Sequence, residues 1–553
     1  MALEVKNDST KKVRLYFLVA LLFLFFVLLN TCPLIIHIST YQLGDGGDGP
    51  EFIWDLWWLK KSVMELHQNQ YDTNYIFYPN GTKLYLHTLS PLNGLVSLPL
   101  QYLSNNLILS YNLIIILNLV LAGLSMFILA FYLTKSKFAS VIAGYIFTFN
   151  PYVMGHSLGH LNLVSIWPIP LFILFFIRFH EDPSIKNMIF SSLFIILSTL
   201  YCIQIGIFAL VFSLIYESFY LITKRFKVTR GFVLKLILVF VLYFLVLSPI
   251  FLGMFTSMLS KEYTVKLDSV FWSPDVLTFF VPGNILDSRV FFNNFTWWNR
   301  EHGISHQGAE NQNFLGYTLI ILSAVILTTT FKKKKFLFNK LRFWTLLGII
   351  GFVLALGGQL KFFGQVYNFK LPYYYIYKIV PLFWASGRFV LLTFISLSIL
   401  CTIGLSALLE NLSDRKRYLI YMCVLILIIL EFLSIPYPLK SYKVSDFYYE
   451  LGKEKGDFAV YDLSHRYNSD YIAASGLHMY YQTIHNKKII DGRISRNPLS
   501  SLKYAMQGPP LLELEKLNIK YVILPKESNL SESFSNYSLV FKDQEIKVYQ
   551  IFK

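Results

Sequence analysis

Asp45 and Asp48 stand in the glycine-rich run Gly44-Asp45-Gly46-Gly47-Asp48-Gly49-Pro50-Glu51. From Pro50, a residue suited to the first helical position, apolar residues recur at Phe52, Leu56, Leu59, Val63 and Leu66. That spacing of four, three, four and three predicts a helix. With Trp54, Trp57 and Trp58 in its first turns, it is expected to lie along a membrane surface. The two carboxylates then sit just ahead of a helix N-terminus. Asp48 could cap that helix, or it could serve a reaction as a base or metal ligand. A calcium loop is a weaker rival, because the run of oxygen ligands it needs is missing. Residue types alone leave the first two readings open.

Other groups with chemical potential are scattered. His156 and His160 are four apart after Pro151, which on a helix would share one face. Two histidines without a third ligand are more often structural than metal-binding. Glu301, His302, His306 and Glu310 crowd one polar segment beside Trp297 and Trp298, the kind of ring on which a sugar can stack. Solvated loop polarity is the plainer account. The cysteines, Cys32, Cys202, Cys401 and Cys423, lie in or beside apolar segments, with neither a disulfide framework nor metal spacing.

A largely apolar chain must position these residues. Of 553 residues, 55% are hydrophobic, 17% aromatic and 15% charged, against about 25% charged in soluble domains. A span takes about 20 residues, so ten or eleven spans leave roughly 300 residues for loops and a terminal domain. A soluble enzyme, a nucleic-acid-binding module and a bare helical channel are all excluded. The net charge of +16 does not point to nucleic acid, because the basic residues fall in short runs between apolar segments. These runs include Lys135 with Lys137, Lys224 with Arg225, residues 332–335 and residues 415–417. Such runs mark the cytoplasmic side.

Placing every basic run on one side gives about eleven transmembrane helices. The N-terminus is then cytoplasmic and the first span uncleaved. Residues 188–221 are too long for one helix, so Tyr201, Cys202 and Gln204 are expected to form an outer turn. Residues 1–437 form the transmembrane domain, with large outer loops at 38–106, 257–313 and 357–387. Short strand-like runs at 458–461, 488–491, 521–524 and 546–551 predict a small extracytoplasmic α/β domain over 438–553.

Several short motifs carry a likeness. The acidic turn, the Trp54-x-x-Trp57-Trp58 helix, Tyr78-Pro79-Asn80-Gly81 and the run His87-Thr88-Leu89-Ser90-Pro91-Leu92-Asn93 resemble a poorly characterised prokaryotic group of membrane proteins. That group is assigned to the GT-C superfamily of polytopic glycosyltransferases. His160-Leu161-Asn162-Leu163, Ser273-Pro274-Asp275, Glu310 ahead of Leu315-Gly316-Tyr317, and Ser386-Gly387-Arg388-Phe389 are similar too. Their order carries the likeness, which spans most of the membrane region and extends weakly into residues 485–496.

The resemblance implies a GT-C-like fold and a catalytic acidic residue in the first outer loop. Asp48 matches that placement, with Asp45 as the alternative. Outside the cytoplasm no nucleotide sugar is supplied, so the donor would be a sugar on polyprenyl or dolichyl phosphate. Its phosphate leaves as a stable anion needing only positive charge or a metal, and the acceptor hydroxyl needs a base. Arg388, at the outer end of the tenth span, is placed to meet that phosphate, with interfacial snorkelling as the plain alternative. Glu310, His160, His87, Asp275, Trp297 and His302 are the further substrate-binding candidates. No metal ligand is assigned, although a divalent metal is compatible. The acceptor could be a saccharide, a lipid or a protein. A lipid-linked saccharide flippase would need ionisable residues inside its spans, where only Lys235 and Glu431 are noted. A non-catalytic envelope-assembly protein is the other alternative.

Overall fold

The structure is a computed structural model. It describes all but residues 1, 224–228, 264–268, 284–300, 302, 305–309, 334, 382, 466–470 and 553. Among the described residues, a helix occupies each of the eleven positions expected for a span, from Ala2–Asn30 to Asp414–Phe432. Six are long and apolar enough to cross a membrane: Thr10–Asn30, Leu107–Thr134, Leu161–Glu181, Ile203–Thr223, Arg230–Leu259 and Ser386–Leu408. The protein is a multi-pass membrane protein. The long apolar stretch divides where expected, with Cys202 in extended backbone between the Ile185–Tyr201 and Ile203–Thr223 helices.

The chain forms two compact units. The first comprises Met1–His37, Leu113–Leu247 and Lys266–Pro438, and is built mainly of helices, with one hairpin of Gln359–Phe362 and Gln365–Lys370. In it the Lys335–Ala355 and Val390–Leu408 helices pack closely. A Cβ on Gly348 would meet Ser396 Oγ at 2.6 Å, and one on Gly351 would meet the Thr393 backbone at 2.9 Å. Small residues at such crossings let backbones approach. Glu431 accepts from the backbone N–H groups of Tyr317 and Thr318, at the N-terminus of the Tyr317–Lys333 helix, and Lys235 donates to the Pro183 carbonyl. Both serve structure. His180 Nε2 also lies 2.7 Å from Glu217 Oε1 on the neighbouring Ile203–Thr223 helix.

The second unit comprises Ile38–Asn112, Ser248–Val265 and Leu439–Lys553. Residues 38–112 thus share a compact unit with the C-terminal segment. Its sheet orders the strands Ser538–Lys542, Ile546–Gln550, Ile519–Pro525, Ala459–Asp462 and Lys488–Ile489. The first two junctions are antiparallel and the last two parallel. Four of these strands coincide with the strand-like runs of the sequence; Ser538–Lys542 is additional.

The Gly49–Leu59 helix does not present a stripe to a membrane. All eleven of its residues are buried, and it packs against the Tyr471–His485 helix. A helix buried on every side belongs in a core, and its two carboxylates must then find partners there. Buried indoles also need partners, and Trp54 donates to Gln482, Trp57 to Asn486 and Trp58 to the Gln70 carbonyl.

Candidate functional sites

In the second unit the acidic turn is the start of a chain of charges. Gly44 and Gly46 take positive φ, which shapes the turn, and Asp45 Oδ1 accepts from the Gly47 N–H at 3.0 Å. Asp45 therefore closes the turn. Asp48 precedes the helix but makes no side-chain cap; its carboxylate pairs with the Arg493 guanidinium. Arg493 Nε also reaches Glu51 Oε2 at 3.1 Å. Glu51 is buried, and that burial raises its pKa to about 7 against the pull of Arg493 and His87.

His87 continues the chain. It is fully buried, with Nε2 3.0 Å from Asp55 Oδ1 and Nδ1 3.6 Å from Glu51 Oε1. Burial lowers its pKa, but the Asp55 and Glu51 carboxylates outweigh burial and hold it above the ordinary value. The Ser495 N–H donates to Nδ1 at 3.2 Å and orients the ring. Asp48, with its side chain 32% exposed, is the accessible end of an otherwise buried series. It can take a proton from a bound hydroxyl. Glu51 titrates close to neutrality and can hold one.

The first unit holds a second cluster. Arg388 Nε donates to Glu310 Oε2 at 2.8 Å, Nη2 pairs with Oε1, and Nη1 donates to Gln204 at 2.7 Å. Its guanidinium also lies 5.3 Å from the Trp384 ring centre. A side chain only 12% exposed and bonded in this way is not snorkelling. Burial raises the Glu310 pKa, but Arg388 outweighs it and holds the carboxyl at about 2. His160 Nε2 is 3.9 Å from Glu310 Oε1, and its Nδ1 is 3.1 Å from that of His156.

A turn brings the two histidines together, not a helix face. The helix Pro151–His156 stops at His156, and His160 precedes the next one. Glu310 joins them as a third group able to ligate: His156, His160 and Glu310 offer ligand atoms within 4.8 Å of one another. Burial keeps His156 well below its ordinary pKa and hence neutral. Its Nε2 has no hydrogen-bond partner among the described residues. Two imidazole nitrogens and one carboxylate oxygen suit a divalent ion with an open position, although both Glu310 oxygens also serve Arg388.

Of the remaining candidates, Asp275 is committed to backbone, accepting from Leu277 N at 2.9 Å and Gly364 N at 2.8 Å. Trp297 and His302, with Trp298 and His306, lie outside the described residues. Glu51, Asp55, Arg493 and Ser495 join the cluster around Asp48 and His87, and the sequence did not single them out. Glu51 and Asp55 read as positions on an amphipathic helix, and Arg493 is 445 residues from Asp48. The weak similarity over residues 485–496 was the available signal for Arg493.

By fold the chain is similar to two solved structures. The apo oligosaccharyltransferase of Archaeoglobus fulgidus aligns over 94% of this chain and 70% of its own, at 13% identity and TM-score 0.51. The arabinofuranosyltransferase AftD from Mycobacteria aligns over 98% of this chain and 40% of its own, at 11% identity and TM-score 0.58. No curated protein matches the chain by sequence. The chain belongs to the family described as Domain of unknown function (DUF6311), whose model matches residues 63–431.

Proposed function

We propose that the protein is a membrane glycosyltransferase that moves a sugar from a polyprenyl or dolichyl phosphate donor to an acceptor at the outer face of the membrane. The observation that best supports this is the accessible Asp48 carboxylate, paired with Arg493 at the mouth of the buried Glu51–His87–Asp55 series. The neighbours named as sugar transferases share the fold. Asp48 takes the proton of the acceptor hydroxyl as its oxygen bonds to the sugar's anomeric carbon. The bond from that carbon to the phosphate oxygen breaks, and the lipid phosphate leaves with the electron pair. Arg493 keeps Asp48 ionised, because a neighbouring cation favours the charged form.

Arg388 is assigned to the donor phosphate, for which its Nη1, now on Gln204, is the most readily exchanged donor. Where a divalent ion takes part, His156, His160 and Glu310 would hold it and it would supply positive charge for the phosphate. All eleven helices are assigned as spans, with the N-terminus cytoplasmic and residues 438–553 outside. A reporter fused to the C-terminus and active only in the cytoplasm would overturn that orientation. The function is tested by transfer of labelled sugar from a lipid-phosphate donor by the full chain in membranes. If the wild-type protein transfers from none of a panel of polyprenyl-phosphate sugars, the assignment as a transferase fails.

A further inference from the structure

A cavity of about 660 Å³ opens in the second unit between residues 68–83 and the segment 256–263. That volume is within the range of small-ligand sites, about 300–1,000 Å³, but such sites are usually lined by apolar and aromatic groups. Here every lining side chain apart from Gly81 is polar, and most are amides or hydroxyls, including Asn69, Asn74, Asn80, Thr82 and Ser257. The charged groups are one lysine, Lys83, and two carboxylates, Asp72 and Glu262. That balance does not suit a phosphate or another anion. Neutral donors and acceptors with carbon surface between them match a ligand that carries hydroxyl groups on apolar rings.

The lining is held in place before any ligand arrives. Asn69 Nδ2 donates to Asp72 Oδ2 at 3.0 Å and to the Tyr85 hydroxyl at 3.1 Å, and the Tyr85 ring stacks on Tyr71 at 4.6 Å. The Tyr263 hydroxyl accepts from the Lys83 N–H at 3.0 Å and lies 3.4 Å from Thr82 Oγ1. One group breaks the pattern. Ser257 is 3% exposed, lines the cavity, and its hydroxyl has no hydrogen-bond partner among the described residues. A buried hydroxyl left unpaired is costly, and a small displacement of its neighbours at the cavity wall would open it to a ligand hydroxyl.

One stretch of chain ties the cavity to the acidic turn. Arg493 holds Asp48, while Pro498 bridges to Tyr263, the Leu499 N–H donates to Glu262 and Ser501 donates to the Gly81 carbonyl. Arg493 and Pro498 are five residues apart, at most about 18 Å along extended backbone. We propose that this cavity binds the acceptor and that the acceptor is a neutral oligosaccharide. The assignment as acceptor rests on the transferase reading above; the binding of saccharide does not.

The probe is the pool of neutral oligosaccharides released by mild acid from the source organism's envelope, passed over the full chain in nanodiscs. The anionic fraction and a periodate-oxidised pool run in parallel. The neutral pool should be retained and the other two should pass through. Ser257→Ala removes an unsatisfied group, so the fold should keep or gain stability while retention falls about threefold to tenfold, as for one lost neutral hydrogen bond. Asn80→Ala, on an exposed turn, should act likewise. In a transfer assay both variants should raise the acceptor KM and leave the donor KM alone. Passage of the neutral pool, equal retention of the oxidised pool, or unchanged retention by both variants overturns the proposal. Retention without transfer by the wild type would sink the transferase reading and leave the saccharide site standing.

Discussion

Glu51 and Glu310 have side chains exposed to the same degree, 6%, yet they are displaced in opposite directions. Glu51 is raised to about 7 and Glu310 is held at about 2. Burial pushes both upward, so the difference lies in the partners. Glu310 has Arg388 across both its oxygens. Glu51 shares Arg493 with Asp48, and the Asp48 and Asp55 charges raise it further. A dedicated guanidinium fixes a permanent anion. A shared one leaves a carboxyl near neutrality, which is the state useful for moving protons.

The largest effect should come from breaking the dedicated pair. Arg388→Ala leaves Glu310 buried without its guanidinium, a loss of about 3–5 kcal/mol. Denaturant titration in detergent would read it, and Glu310→Gln in the same chain should recover much of the loss. Arg388→Lys should recover donor binding only in part, because an ammonium lacks the fork. If Arg388→Ala matches the wild type in stability and in affinity for the lipid donor, the pair contributes nothing and Arg388 leaves the proposed site.

Asp48→Asn should come next. Removing a general base costs roughly 10²-fold or more in transfer. The helix behind it should persist, because Asp48 makes no side-chain cap to lose and Asn is tolerated at that position. Normal transfer by the variant would move the base elsewhere.

The comparison of the two glutamates can be sharpened by pH. Glu51 binds its proton more tightly folded than unfolded, about 7 against 4.5. Its contribution is therefore full below about pH 4.5 and is lost as pH rises toward 7. Glu310, at about 2 against 4.5, contributes fully above about pH 4.5, and that contribution is lost as pH falls toward 2. Melting temperatures of Glu51→Gln should flatten the slope between pH 4.5 and 7, and those of Glu310→Gln the slope below pH 4.5. Identical pH profiles for both variants would erase the contrast.

How far the sequence reveals these regions depends on range. Local rules worked for the helix positions, the break at Cys202 and most of the sheet, because hydropathy and turn residues act over a few neighbours. The three tryptophans misled, since an apolar stripe reads alike on a membrane and in a core, and only the distant Gln482 and Asn486 decide. Pairing of Arg388 with Glu310 spans 78 residues and no periodicity encodes it. The same holds for Arg493, whose partners lie at the other end of the chain.

The smallest effect distinguishes the two aspartates of the turn. Asp45 spends its Oδ1 on the Gly47 N–H, and an Asn at that position keeps a carbonyl oxygen able to accept the same bond. Asp45→Asn should therefore preserve the turn and remove only an exposed charge, an effect within about 0.5 kcal/mol on stability. Transfer should stay within about twofold of the wild type, since an exposed charge is screened over a Debye length of about 10 Å. Rates of labelled-sugar transfer and melting curves for the single variant would check both. Should Asp45→Asn abolish transfer while Asp48→Asn retains it, the roles exchange. The carboxylate paired with Arg493 would then be a structural anchor, and the base would be the residue that closes the turn.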